Sequence, residues 1–122
     1  MLSAQEIKYN LGNFYGSQGY YEFSPLFSRI YLSDGTKYIA ESCEAYWLMD
    51  LIANHIPSIG DDWFAVAKLT VKGSECKFVI EDGNGNVIAS QDIDFTDFPL
   101  DEITLFVERG DDNWVILLPG EH

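Results

Sequence analysis

From Trp63 to Leu118 the chain reads as strand after strand, and this constrains the fold more than any other feature. Five segments rich in β-branched and aromatic residues, Trp63 to Val71, Cys76 to Glu81, Val87 to Phe95, Ile103 to Arg109 and Trp114 to Leu118, are separated by short turn-forming clusters. Such spacings favour consecutive antiparallel pairing, a five-strand meander. Upstream, Phe27 to Leu32 and Lys37 to Ala40 flank Ser33-Asp34-Gly35-Thr36 and read as a β-hairpin. Glu41 to Ile56 changes to helical spacing through Ala45, Leu48, Leu51 and Ile52, and ends before Pro57 and Gly60. Ser3 and Glu6 form a capping-box pattern that starts a short helix from Ala4 to Leu11. Asn13 to Ser24, with Gly16, Gly19 and three tyrosines, reads as an ordered loop. The expectation is an α+β domain: a mostly antiparallel sheet of about seven strands, with one main helix and a short N-terminal helix packed on one face.

With 122 residues the chain suits a single domain, and 47 % hydrophobic residues provide a core. No stretch approaches the roughly 20 apolar residues of a membrane span, and the N-terminus lacks a basic region followed by an apolar one. Cys43 and Cys76 form no dense framework, so reduced thiols in a cytoplasm are expected.

The net charge is −13. Residues 1–60 hold six acids against three bases, and residues 61–122 hold fourteen against four, so the acidic field belongs to the second half. It argues against direct binding to nucleic acid or anionic lipid and points to a partner with a basic surface. In Gln91-Asp92-Ile93-Asp94-Phe95, alternation sends Asp92 and Asp94 to one face, about 6.7 Å apart, close to two axial steps of a DNA strand. Asp97, Asp101, Glu102, Asp111 and Asp112 would extend a row of negative charge. These seven are the candidate partner-binding residues, and a nucleic-acid mimic blocking a basic groove is one form the contact would take.

Asp82, Asn84 and Asn86 alternate as in a calcium loop, but Val87 and Ile93 stand where the loop needs Gly and Glu. Asn84-Gly85 reads instead as a type I′ hairpin turn. No metal, cofactor or catalytic group is expected: Cys43 and His55 cannot meet along one helix, and no phosphate loop is present. An alternative small-ligand site would use Tyr15, Tyr20, Tyr21, Asp82 and Asn84. A carboxylate-based enzyme ranks below both. An edge strand such as Trp114 to Leu118, pairing across a two-fold axis, would make a homodimer.

Five motifs occur in one order: Asp34-Gly35-Thr36-Lys37-Tyr38-Ile39-Ala40-Glu41, Ala45-Tyr46-Trp47-Leu48-Met49-Asp50, Glu81-Asp82-Gly83-Asn84-Gly85-Asn86-Val87, Thr96-Asp97-Phe98-Pro99-Leu100-Asp101-Glu102-Ile103-Thr104-Leu105 and Val115-Ile116-Leu117-Leu118-Pro119. Over roughly residues 27 to 120 the chain resembles a family of small proteins of unknown function from bacteria and their phages, plasmids and other mobile elements. The resemblance carries no active site. It implies a role in conflict between phage and host; together with the acidic row, the expectation is an anti-defence inhibitor whose partner is a nucleic-acid-binding defence protein.

Overall fold

A computed structural model describes residues 3–12, 20–24, 27–59, 63–94, 96–110 and 113–121. Helix α1 (Ala4–Leu11) begins with the expected reciprocal cap: the Ser3 hydroxyl accepts from the Glu6 amide at 3.2 Å, and the Glu6 carboxylate accepts from the Ser3 amide at 3.3 Å. Its apolar face buries Ile7 completely.

Strand β1 (Tyr20–Ser24) lies within the segment expected to be a loop, and pairs antiparallel with β2 (Phe27–Ser33). The expected second hairpin strand is instead helix α2 (Asp34–Ser42). Ser33 caps it, accepting from the Thr36 amide at 3.2 Å, so Ser33-Asp34-Gly35-Thr36 starts a helix where a turn was expected.

The expected single main helix is broken. Helix α2 ends at Ser42, and α3 (Tyr46–His55) follows after Cys43, Glu44 and Ala45. The Ala45 amide reaches back to the Ala40 carbonyl at 2.9 Å and the Glu44 amide to the Glu41 carbonyl at 3.4 Å, while Glu44 takes φ of 50°. This is the paired bonding of a Schellman stop, with glutamate in the left-handed position glycine usually fills. A short 3₁₀ turn, Ile56–Ile59, completes this layer.

Strands β3 (Phe64–Lys72), β4 (Glu75–Asp82), β5 (Val87–Ile93), β6 (Glu102–Arg109) and β7 (Trp114–Leu117) match the five expected segments closely. Their order does not. The sheet runs β1-β2-β7-β6-β3-β4-β5, so β6 pairs with β3 rather than β5, and β7 lies between β6 and β2. The β2–β7 pair is parallel and the other pairs are antiparallel. β7 is therefore interior, which removes it as the edge for a two-fold pairing.

One face of the sheet carries Ala65, Ala67, Leu69, Phe78, Ile80, Leu105, Val107 and Ile116, all buried beneath the helices. Phe98 and Leu100 of the β5–β6 connection close the same core, Phe98 meeting Trp47 edge-on at 6.4 Å. His55 stacks on Phe78 at 5.8 Å and fixes the end of α3 over β4. Among the described residues the other face carries no helix.

Candidate interaction surface

The period of two that buries Leu69 and Phe78 turns their neighbours to the open face. Register places Glu102, Thr70, Lys77 and Asp92 in one row across β6, β3, β4 and β5, about 14 Å from end to end. Asp94, in the bend just past β5, lines the same hollow as Asp92. The β5–β6 connection wraps the β3–β4 turn: the Thr96 amide donates to the Ser74 carbonyl at 2.7 Å, and the Val71 amide to the Asp101 carbonyl at 2.7 Å. Thr96 and Asp101 are thereby tied to Ser74 and Val71 on either side of that turn.

Asp92, Asp94, Asp97, Asp101 and Glu102, all exposed, fall within the eleven residues that run from the end of β5 to the start of β6, at one end of the sheet. Asp111 and Asp112 lie outside the described residues, as does Tyr15. Two hollows open at this end of the sheet. A shallow one of about 600 Å³ is lined by Thr70, Lys72, Glu75, Lys77, Asp92 and Asp94 among others. Another of about 270 Å³ is lined by Trp47, Ile93, Thr96 and Asp97. Trp47 is half-buried and offers part of its ring to this hollow.

Lys72 and Lys77 were absent from the expected site. Lys77 stands directly across from Asp92, and Lys72 across from Glu75. The signal for them was present in the alternation of β3 and β4, which assigns Lys68, Lys72 and Lys77 to the face of Asp92. The surface is therefore acidic with lysines interleaved, and not an unbroken negative row.

The structure does not bring the alternative ligand residues together. Tyr20 and Tyr21 lie on β1 at one edge of the sheet, and Asp82 ends β4 five strand spacings away, about 24 Å. Tyr21 is engaged locally: Lys37 sits over its ring at 3.9 Å, and a hydrogen bond to the Asp34 carboxylate raises its hydroxyl pKa. Tyr20, on the opposite face, borders a hollow with Glu108, Val115 and Leu117.

The Asp82 carboxylate is occupied by its own turn. It accepts from the Asn84 amide at 2.8 Å, the Asn86 amide at 2.9 Å and the Asn86 side chain at 3.1 Å. Those bonds, chiefly from Asn86, hold the carboxyl below its ordinary pKa. The turn is not type I′, because Gly85 takes positive φ (88°) and Asn84 does not. Its bonds from Gly85 to the Asp82 carbonyl and from Asp82 to the Asn86 carbonyl are those of a longer hairpin loop with glycine in the left-handed position. Among the described residues no group of three or more His, Cys, Asp or Glu is arranged to hold a metal ion. Both cysteines are buried, and burial pushes the Cys43 thiol up to about 11.

No described helix is long and apolar enough to cross a membrane. The chain belongs to a family of unknown function (DUF6876), whose model matches residues 5–122 and so extends beyond the motifs that first suggested it. No curated protein matches the sequence. The fold is similar to that of a crystal structure of a protein of unknown function from Enterococcus faecalis, with 18 % identity, a TM-score of 0.53, and coverage of 83 % of this chain and 95 % of that one.

Proposed function

We propose that this chain is a non-catalytic interaction protein that binds a basic surface of a protein partner through the acidic end of its sheet. The observation that carries this reading is the exposure of Asp92, Asp94, Asp97, Asp101 and Glu102 along the stretch from β5 to β6, with Glu102 and Asp92 in one cross-strand row at the same end of the sheet. Half-buried Trp47 and Ile93, which share a hollow with Asp97, supply apolar contact area next to this charge. Steering by the net charge of −13 would speed encounter with a cationic partner.

A role for a phage or mobile element, as an anti-defence inhibitor, fits this chemistry. Lys77 opposite Asp92 and Lys72 opposite Glu75 favour recognition of a basic protein segment over imitation of a continuous phosphate backbone. The deciding experiment compares the tagged protein with a variant in which Asp92, Asp94, Asp101 and Glu102 are changed to Lys. Both are used to capture partners from bacterial lysate at low and moderate salt, with mass spectrometry of what is retained. The expected result is a basic partner held by the wild type at low salt, released as salt rises, and lost in the variant, whose circular dichroism and melting are unchanged. Equal retention by the variant overturns the reading.

A further inference from the structure

The geometry points to the outer edge of β5 as the place where an extended, basic segment of a partner adds as a further strand. This rests on the acidic-surface reading above and specifies how the partner is held.

Strand β5 ends the sheet and pairs only with β4 among the described strands. Its ladder is regular from Cys76↔Ile93 to Ile80↔Ala89, and the one irregularity lies at the Glu81↔Val87 end. Ala89–Ile93 therefore presents a flat edge of about 17 Å with backbone donors and acceptors turned outward. Sheet edges are commonly closed to other chains by Lys, Pro or a bulge in mid-strand. Val87–Ile93 contains neither Lys nor Pro, and Ser90, Gln91 and Asp92 are exposed. The opposite edge is treated differently: β1 shifts register between Glu22 and Ser24, and Arg29 on its partner strand has φ of 73°.

Charge selects the occupant. β5 bears no cation; its open face ends in Asp92, and Asp94 follows just past the strand. On the inner side Asp92 has Lys77 across from it, while Asp94 shares its hollow with Glu75. A second copy of β5 would bring its own aspartates and another net charge of −13 to this edge, so self-pairing is repelled. A strand with Lys or Arg at alternate positions would place cations directly across from Asp92 and Asp94, with Cβ atoms about 5 Å apart. Main-chain bonds then supply affinity and the charge pattern supplies selectivity.

The test titrates the full ¹⁵N-labelled chain with two synthetic probes: acetyl-Thr-Lys-Val-Lys-Val-Lys-Thr-amide, and the same peptide N-methylated at its three central residues. The second keeps the charge and loses the ladder. Strand addition predicts amide shifts and slowed hydrogen exchange concentrated in Ala89–Ile93. Binding should weaken about tenfold with the methylated peptide, and again with an Asp92→Lys, Asp94→Lys variant of unchanged melting temperature. Equal affinity for the two peptides, shifts that leave the β5 amides untouched, or no binding at millimolar peptide would each overturn strand addition. None of these touches the broader reading, which fails only if the fourfold lysine variant keeps its lysate partners.

Discussion

Glu121 closes onto the start of helix α2 from the far end of the chain: one carboxylate oxygen accepts from the Ser33 hydroxyl at 2.5 Å and the other from the Gly35 amide at 3.0 Å. The Leu118 amide donates to the same carboxylate at 3.0 Å, and the Ser33 hydroxyl also contacts that of Thr36 at 3.0 Å. Glu121 is only 6 % exposed. A buried carboxylate is stable there because it meets the donor end of a helix, where backbone N–H groups have no intrahelical partner.

Removing that carboxylate should therefore cost more than an ordinary surface change. Glu121→Ala leaves the buried Gly35 and Leu118 amides without the carboxylate they donate to and removes the Ser33 hydroxyl's bond to it, and is expected to lose about 2–4 kcal/mol. Chemical denaturation of the variant measures this directly. A double-mutant cycle with Ser33→Ala should give a coupling of about 1–2 kcal/mol, and strict additivity would refute the contact.

Gly35 is the companion residue. A Cβ there would collide with the Leu118 side chain and come within 2.8 Å of a Glu121 oxygen. Gly35→Ala should destabilise by about 1–3 kcal/mol despite alanine's better helix propensity. A thermal melt in which alanine raises Tm would show that C-terminal turn to be loosely seated.

At the helix stop the sign reverses. Glu44 holds φ of 50°, a conformation that costs an L-residue about 1–2 kcal/mol and glycine almost nothing. After glycine's greater loss of freedom on folding, Glu44→Gly is expected to gain about 0.5–1 kcal/mol, read as a higher denaturation midpoint at unchanged slope.

The Asp82 turn carries a pH signature. Its folded carboxyl titrates below the unfolded value of 3.8, so its stabilising effect is fully present above that value and is lost as pH falls through the lower folded one. Asp82→Ala should reduce stability at neutral pH, and the curves of variant and wild type should converge in strong acid. A constant gap at all pH values would contradict this.

The cysteines should be silent in the native state. Cys43 is fully buried with a thiol pKa of about 11, and Cys76 is buried with its pKa also raised, so thiolate is scarce and shielded at pH 8. A chromogenic disulfide reagent is expected to titrate both thiols in denaturant and to react slowly without it. Rapid native labelling would reveal local opening of the core.

The features legible in the sequence were those set by neighbours along the chain. Ser3 and Glu6 are three residues apart and bond as their spacing predicts, and the strands from Phe64 onward follow their alternation within a residue or two. Helix α2 was misread because Thr36, Tyr38 and Ile39 favour strands, and the carboxylate that steadies its start lies 86 residues away from Gly35. Strand order was hidden for a similar reason: turn lengths describe β3–β4 and β4–β5 but say nothing of β6 returning to β3 or of β2 lying parallel to β7. The acidic end was half legible. Their spacing put Asp92 and Asp94 together, whereas the lysines beside them required the cross-strand register.

The interior position of β7 also sets an order of events during synthesis. β1, β2 and α1 are made first, but their hairpin joins the rest of the sheet only through β7, and α2 receives its carboxylate only from Glu121. β2 must therefore leave the ribosome with its β7-facing edge unmatched, and α2 without the carboxylate at its start, until residues 114–121 have been made. Chaperone contact with the nascent chain is expected to concentrate on that waiting hairpin.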